Sequence, residues 1–200
     1  MSDRFVSSLW WLDQLGLLAL HEQKVVVRQA LVGANYGLLD DTTLAPRPDY
    51  FASLLHKRLM GQAVIDVQRA PEADPFLRVY AQCAPVRNGH AAVTVLAINL
   101  HEGERSVLKW PHAARHDVDC YQVTAPTLDS RVAFLNGIPM KFDGNLGTFE
   151  PKRVRFDGAY PLPPVSYTFL NSDVDCAACN HARVGSAPDP TATSSGSLAR

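Results

Sequence analysis

The chain has 200 residues, 46% apolar and 20% charged, a composition that can bury a core. Its 19 basic and 20 acidic side chains leave a formal net charge of −1, so there is no general basic field to recruit nucleic acid or an anionic membrane, and no nucleic-acid partner is expected. No apolar run approaches the roughly 18 residues that a membrane-spanning helix requires.

The first predicted element is an amphipathic helix over Phe5–Leu20, FVSSLWWLDQLGLLAL. Phe5, Leu9, Leu12, Leu15 and Leu17 form its apolar face, Trp10 and Trp11 broaden it, and Asp13 and Gln14 face away. Gly16 is placed to interrupt or end the regular part. The Trp10–Trp11 pair suits either a carbohydrate stacking platform or packing against neighbours, and packing is the commoner use. Charges within the first twenty residues and the lack of a small-residue cleavage site argue against a signal peptide.

Next comes an apolar run over residues 25–32. Val25, Val26 and Val27 open it, Ala30, Leu31 and Val32 continue it, and Arg28-Gln29 is its one polar interruption. Such a run predicts a parallel strand covered on both faces. After a loop carrying Asn35-Tyr36, Pro48 and Asp49 suit the first turn of a second helix. Tyr50, Leu54, Leu55, Arg58 and Leu59 keep its spacing, and Gly61 falls just past its end.

Beyond Gly61 the periodicity changes from helical to alternating. Strands are predicted over residues 63–67, 77–83, 92–99, 118–123, 131–135, 138–142 and 166–170, separated by Pro, Gly and Asp clusters. Asn136-Gly137 is a two-residue hairpin signal, and Pro161, Pro163 and Pro164 make a stiff connection into the last strand. From His181 the chain is rich in Ala, Ser, Thr, Pro and Gly and reads as a disordered tail. Cys176 and Cys179 form one CxxC. Read as zinc ligands they need a second pair, for which only His112 and His116 are candidates. Read as a redox motif they lack the helix that normally follows. No metal and no cofactor is expected.

The segment RQALVGANYGLLDDTTLAPRPDYFASLLHKRLMG closely resembles the last barrel strand and helix of glycoside hydrolase family 79, the heparanase and β-glucuronidase family. The resemblance extends back through Phe5–Leu20 and forward through RVYAQCA, VTVLAINL, FLNG, VSYTFL and AAC, covering roughly residues 3 to 179. It implies an α/β plus all-β chain: the C-terminal end of a (β/α)8 barrel (last helix, strand 8, helix 8) over 1–61, a β-sandwich domain over 62–179, and a tail over 180–200. It also implies cleavage of glucuronide-containing oligo- or polysaccharides by a retaining two-carboxylate mechanism, and a secreted, lysosomal or cell-wall setting for a parent protein.

Two hundred residues are too few for a whole barrel, typically about 250, plus a second domain. Both catalytic glutamates of the family lie upstream of the matched segment, so an upstream barrel segment is the expected partner and an N-terminal portion is expected to be missing. The five glutamates here, Glu22, Glu72, Glu102, Glu104 and Glu150, all fall in turns. None of them pairs as an acid and nucleophile about 5–5.5 Å apart, so no catalytic residue is assigned and the chain alone is expected to be inactive. The alternative is a non-catalytic β-sandwich module that binds carbohydrate or serves structure.

By resemblance, Tyr36 faces the sugar subsite beside the scissile bond, backbone N–H groups around Ala34 and Asn35 meet the uronate carboxylate, and Gln29 is a polar lining residue. Ala34 stands where members often carry glycine, so its Cβ is expected to crowd that approach. His56, His101 and Asp40 read as surface or loop-stabilising residues. The resemblance further implies a disulfide between Cys83 and Cys179, and leaves Cys120 and Cys176 as a second possible pair.

Overall fold

The computed structural model describes residues 3–67, 74–85, 92–141, 149–174, 176 and 179. The expected tail, His181, Glu72 and the end of the strand expected at 138–142 lie outside these residues.

Two helices open the chain. Helix α1 spans Phe5–Leu20 and continues through Gly16. That glycine allows close packing: a Cβ there would lie 2.4 Å from the Tyr80 ring. The buried ridge of α1 runs Phe5, Ser8, Leu9, Leu12 and Gly16, in helical steps of three and four. Leu17 falls off that line and is exposed. The tryptophans divide: Trp11 is buried and donates its indole N–H to Ser53 Oγ at 2.9 Å, while Trp10 is 53% exposed. Asp13 also has a partner across the fold, accepting from the Tyr80 hydroxyl at 2.5 Å.

Helix α2 spans Pro48–Leu59 with Pro48 in its first turn, as the sequence predicts. Its buried face is Phe51, Ala52, Leu55 and Leu59. Gly61 is no left-handed cap. Its N–H donates to the Cys83 carbonyl at 2.8 Å, and a Cβ would sit 2.2 Å from that oxygen.

Among the described residues there are ten strands: β1 (Val64–Ile65), β2 (Leu77–Cys83), β3 (Val93–Asn99), β4 (Ser106–Lys109), β5 (Asp117–Thr124), β6 (Phe134–Leu135), β7 (Ile138–Pro139), β8 (Lys152–Arg155), β9 (Ala159–Leu162) and β10 (Ser166–Ser172). They pair antiparallel. The large sheet runs β1-β2-β3-β10-β5-β6-β7, with β8 also on β5, and β4 pairs with β9 as a separate ribbon. Central β3 is buried along its whole length, between β2 and β10.

Two apolar clusters lie on opposite faces of this sheet, as the period of two requires. On one face α1 and α2 bury Phe5, Leu12, Phe51 and Leu55 against Leu96, Ile98, Tyr167 and Phe169. The other face buries Val95, Ala97, Cys120 and Leu170 against Leu108 and Leu162 of the β4–β9 ribbon, with Phe156 beside them. Each fully buried side chain of this size contributes about 1.5–3 kcal/mol.

The Asn136-Gly137 hairpin forms as predicted, with both residues at positive φ (50° and 85°). Asn136 does more than turn the chain: Nδ2 donates to the Cys120 carbonyl at 3.1 Å, and Oδ1 accepts the Gln122 N–H at 3.1 Å. The hairpin is thereby fastened onto β5.

The expected parallel strand over 25–32 is a correction. Those residues form no strand, and Val25 and Val27 are 69% and 81% exposed. A parallel strand takes its hydrogen bonds from strands on either side, and no described strand lies beside this segment, so its backbone stays irregular. The disulfide Cys83–Cys179 is present, with Cα atoms 5.4 Å apart. Cys120 and Cys176 do not pair. Both are free, and the Cys120 thiol donates to the Tyr160 hydroxyl at 3.1 Å.

Candidate substrate-binding loop

Residues 21–47 connect the helices and carry the four predicted sugar-facing residues. The loop folds on itself through backbone bonds: Leu38 N–H to Ala30 O and Leu39 N–H to Leu31 O, both 2.9 Å, then Arg47 N–H to Leu38 O at 2.9 Å. Asn35-Tyr36 forms its tip. Gly37 closes the tip, because a Cβ there would meet the Gly33 carbonyl at 3.0 Å.

Two arginine clamps fix this loop. Arg47 Nη1 donates to the Gly37 carbonyl at 3.0 Å, and Nη2 reaches Asp40 Oδ2 at 3.4 Å. Asp40 Oδ1 also accepts the Thr43 N–H, the Thr43 hydroxyl and the Thr42 N–H. The Thr43 backbone bond, with these others, lowers the Asp40 carboxyl to about 2. Asp40 is therefore a loop-stabilising residue, as the sequence suggests.

The second clamp is buried. Arg28 Nη2 donates to Asp49 Oδ2 at 2.8 Å, with Asp49 fully buried and the Arg28 side chain 14% exposed. The guanidinium lies over Trp10 and Trp11, 5.5 and 5.6 Å from their ring centroids. Burial raises the Asp49 carboxyl against the opposing pull of Arg28. Sequence reading missed this pair. The available signal was the charge of Arg28 inside an otherwise apolar run, because a guanidinium drawn in against apolar neighbours demands a partner.

The four predicted residues, Gln29, Ala34, Asn35 and Tyr36, are all exposed on this one loop, Tyr36 by 39%. Ala34 sits at φ 56°, in the left-handed region that glycine adopts without cost. Among the described residues no backbone carbonyl accepts the Ala34 or Asn35 N–H.

Glu22, Glu102, Glu104 and Glu150 are exposed. Glu150 and Asp119 both line a cavity of about 410 Å³ with Arg58, Tyr121 and Phe149. Asp119 is committed to Arg153 at 3.2 Å across the β5–β8 pairing. Asp74, His101 and Ser106 cluster without forming a nucleophile–base pair. Ser106 donates to Asp74 Oδ2 at 2.6 Å, and His101 Nε2 lies 3.0 Å from Asp74 Oδ1, so the carboxylate ties the β3–β4 turn to the start of β2. Among the described residues no group of three His, Cys, Asp or Glu is placed to hold a metal.

His56 is a second correction, since it stabilises no loop. It lies on α2 with Nε2 buried and unpartnered, and burial lowers its pKa to about 4. Between pH 6.5 and 4 the unfolded chain therefore takes up a proton that the folded chain refuses, and stability falls as pH falls through that window. Relative to His56→Phe, the chain should lose up to about 3 kcal/mol between pH 7 and 4. Parallel urea titrations check this, and a pH-independent difference would refute it.

No family model matches the chain. Heparanase-like protein 1 of Arabidopsis thaliana is 52% identical over 100 residues, half of this chain and 18% of that protein. Baicalin-beta-D-glucuronidase of Scutellaria baicalensis is 34% identical over 176 residues, covering 85% of this chain and 32% of the relative. Inactive heparanase-2 of Homo sapiens is 31% identical over 200 residues, covering 90% and 34%. The chain thus spans about a third or less of the length of these relatives. Among solved structures an arabinofuranosidase matches with a TM-score of 0.61 at 14% identity, over 84% of this chain and 38% of that one. That likeness concerns the fold alone, and such neighbours are TIM-barrel glycosidases.

Proposed function

The chain belongs to the heparanase and β-glucuronidase family, glycoside hydrolase family 79, and we propose that it supplies a substrate-binding wall of a glucuronide-cleaving site whose acid and nucleophile carboxylates lie outside it. The observation that carries this reading is the clamped loop. Asn35-Tyr36 stands exposed at its tip with two neighbouring backbone N–H groups open to a carboxylate. A tyrosine beside free N–H donors can stack on a sugar ring and hold an anionic group. Tyr36 packs against the sugar, Ala34 and Asn35 donate to the uronate, and Gln29 lines the same side.

In this reading residues 1–61 are the closing part of a (β/α)8 barrel, and the sheet with its β4–β9 ribbon over 62–179 is the β-sandwich module. The exposed apolar residues Val25, Val27, Leu31 and Val32 are then covered by the remaining barrel strands. The Cys83–Cys179 link fits an oxidising, extracytoplasmic setting.

The test is an assay of the purified 200-residue protein on 4-nitrophenyl β-D-glucuronide, with calorimetric titration of a glucuronide oligosaccharide. We expect no turnover, measurable binding, and about a tenfold loss of affinity in Tyr36→Ala, equal to about 1.4 kcal/mol. Turnover abolished by Glu150→Gln or Asp119→Asn would overturn the assignment of the carboxylates. Undiminished binding by Tyr36→Ala would overturn the assignment of the loop.

A second reading, a non-catalytic carbohydrate-binding or structural protein, draws on the human relative whose name declares it inactive. The same assay on the whole open reading frame that encodes the chain separates the two. Turnover there favours the hydrolase, and binding without turnover favours the alternative.

A further inference from the structure

Two of the four cysteines keep free thiols, and their surroundings differ sharply. Cys120 is buried in β5 and donates to the Tyr160 hydroxyl, and burial pushes its thiol up, away from the reactive thiolate. Cys176 is half-buried. It packs against the apolar cluster that contains both Cys83 and Cys179, and its carbonyl accepts the Cys179 N–H at 2.9 Å. A bond of that kind, between residues three apart, keeps their Cα atoms within about 7 Å. Bridged cysteines have Cα atoms roughly 4.4–6.8 Å apart. Cys176 therefore lies within bridging range of the residue that Cys83 already holds.

We propose that Cys176 is an internal exchange nucleophile that can move the disulfide from Cys83–Cys179 to Cys176–Cys179. Its thiolate attacks Cys179 Sγ. A Cys176–Cys179 bond forms as the Cys83–Cys179 bond breaks, and the leaving electron pair rests on Cys83 Sγ, which takes up the proton that Cys176 lost. No oxidant or reductant is consumed.

The exchange changes what the cross-link constrains. The native link joins residues 96 positions apart and ties the segment after β10 to the end of β2. The exchanged link closes only a four-residue ring. It frees Cys83 beside Gly61 and Ala63, whose backbone groups bond to Cys83 at 2.8 and 2.9 Å. The same thiol would therefore decide whether the C-terminal segment stays tied to β2, with no change in the oxidation level of the protein.

The test is alkylation and peptide mapping on the intact chain. The protein is held at pH 8, free thiols are trapped with iodoacetamide at intervals, and non-reduced digests are read by mass spectrometry. We expect label to spread from Cys176 to Cys83 as the Cys176–Cys179 peptide appears. Cys176→Ser should abolish Cys83 labelling and leave the native link intact. In a glutathione redox buffer, Cys83→Ser should form the Cys176–Cys179 bridge. Label confined to Cys176 throughout, or equal labelling of Cys83 in Cys176→Ser, would overturn the proposal. So would a Cys83→Ser protein whose Cys176 and Cys179 both stay reduced.

Discussion

Cys83→Ser should lower the unfolding free energy of the chain by about 4–5 kcal/mol, the chain-entropy value for a loop of this length. The loop encloses 96 residues of sequence separation, nearly the whole sheet, so removing the link releases a large denatured ensemble from constraint. For a chain of this size that corresponds to a fall in melting temperature of roughly 10–15 °C. Two features of the native state keep the effect from being smaller. Cys83 and Cys179 are both buried in the cluster between the large sheet and the β4–β9 ribbon, and hydrogen bonds hold the Cys83 backbone to Gly61 and Ala63. Replacing one sulfur thus removes the long-range link, and a bridge from Cys179 to Cys176 would close only a four-residue ring that restores none of this constraint. The double variant Cys83→Ser/Cys179→Ser should cost no more than the single, because both remove one link. Guanidinium titrations of the three proteins check this, and additive losses would show that the thiols act through packing and not through the cross-link.

The sheet was legible in the sequence wherever a strand alternates or is uniformly apolar. β2, β3, β5 and β10 lie within a residue or two of their predicted spans. The three unpredicted strands each hide for a physical reason. β8 is KRVR, paired only to β5, where charges on an edge strand look like a solvated turn. β9 is AYPL, whose Pro161 breaks the strand pattern although a proline is tolerated on the edge of a two-stranded ribbon. β4 is four residues long and alternates only twice.

The loop at 21–47 shows the opposite failure. Its apolar run has strand composition, yet composition does not supply a neighbouring strand, and hydrogen-bond partners decide the backbone. The residues placed on the loop tip came from family likeness. The arginine clamps that hold the tip depend on contacts 10 and 21 residues apart, which no local pattern encodes.

Asp49→Ala should destabilise the chain by about 3–5 kcal/mol, the cost of leaving one partner of a buried ion pair alone. The orphan would be the Arg28 guanidinium, held over the Trp10 and Trp11 rings with little access to water. Arginine has no neutral form to retreat to, so the orphan guanidinium stays charged at every accessible pH.

The reverse substitution behaves differently. In Arg28→Leu the orphan is Asp49, whose carboxyl burial already raises. An acid with a raised native pKa binds its proton more readily folded than unfolded. Stability therefore increases as pH falls through the native pKa and is lost as pH rises through it. The cost of Arg28→Leu should accordingly shrink toward acid pH.

A second readout separates anchoring of the loop from global stability. Arg28 enters the chain two residues before Ala30, which accepts the Leu38 N–H, so loss of the pair should loosen the Asn35-Tyr36 tip first. Amide exchange at Leu38 and Leu39 should quicken in Arg28→Leu by more than exchange in β3. Equal acceleration in both places would mean that the ion pair serves the core alone and that the loop takes its shape from Arg47 and Asp40.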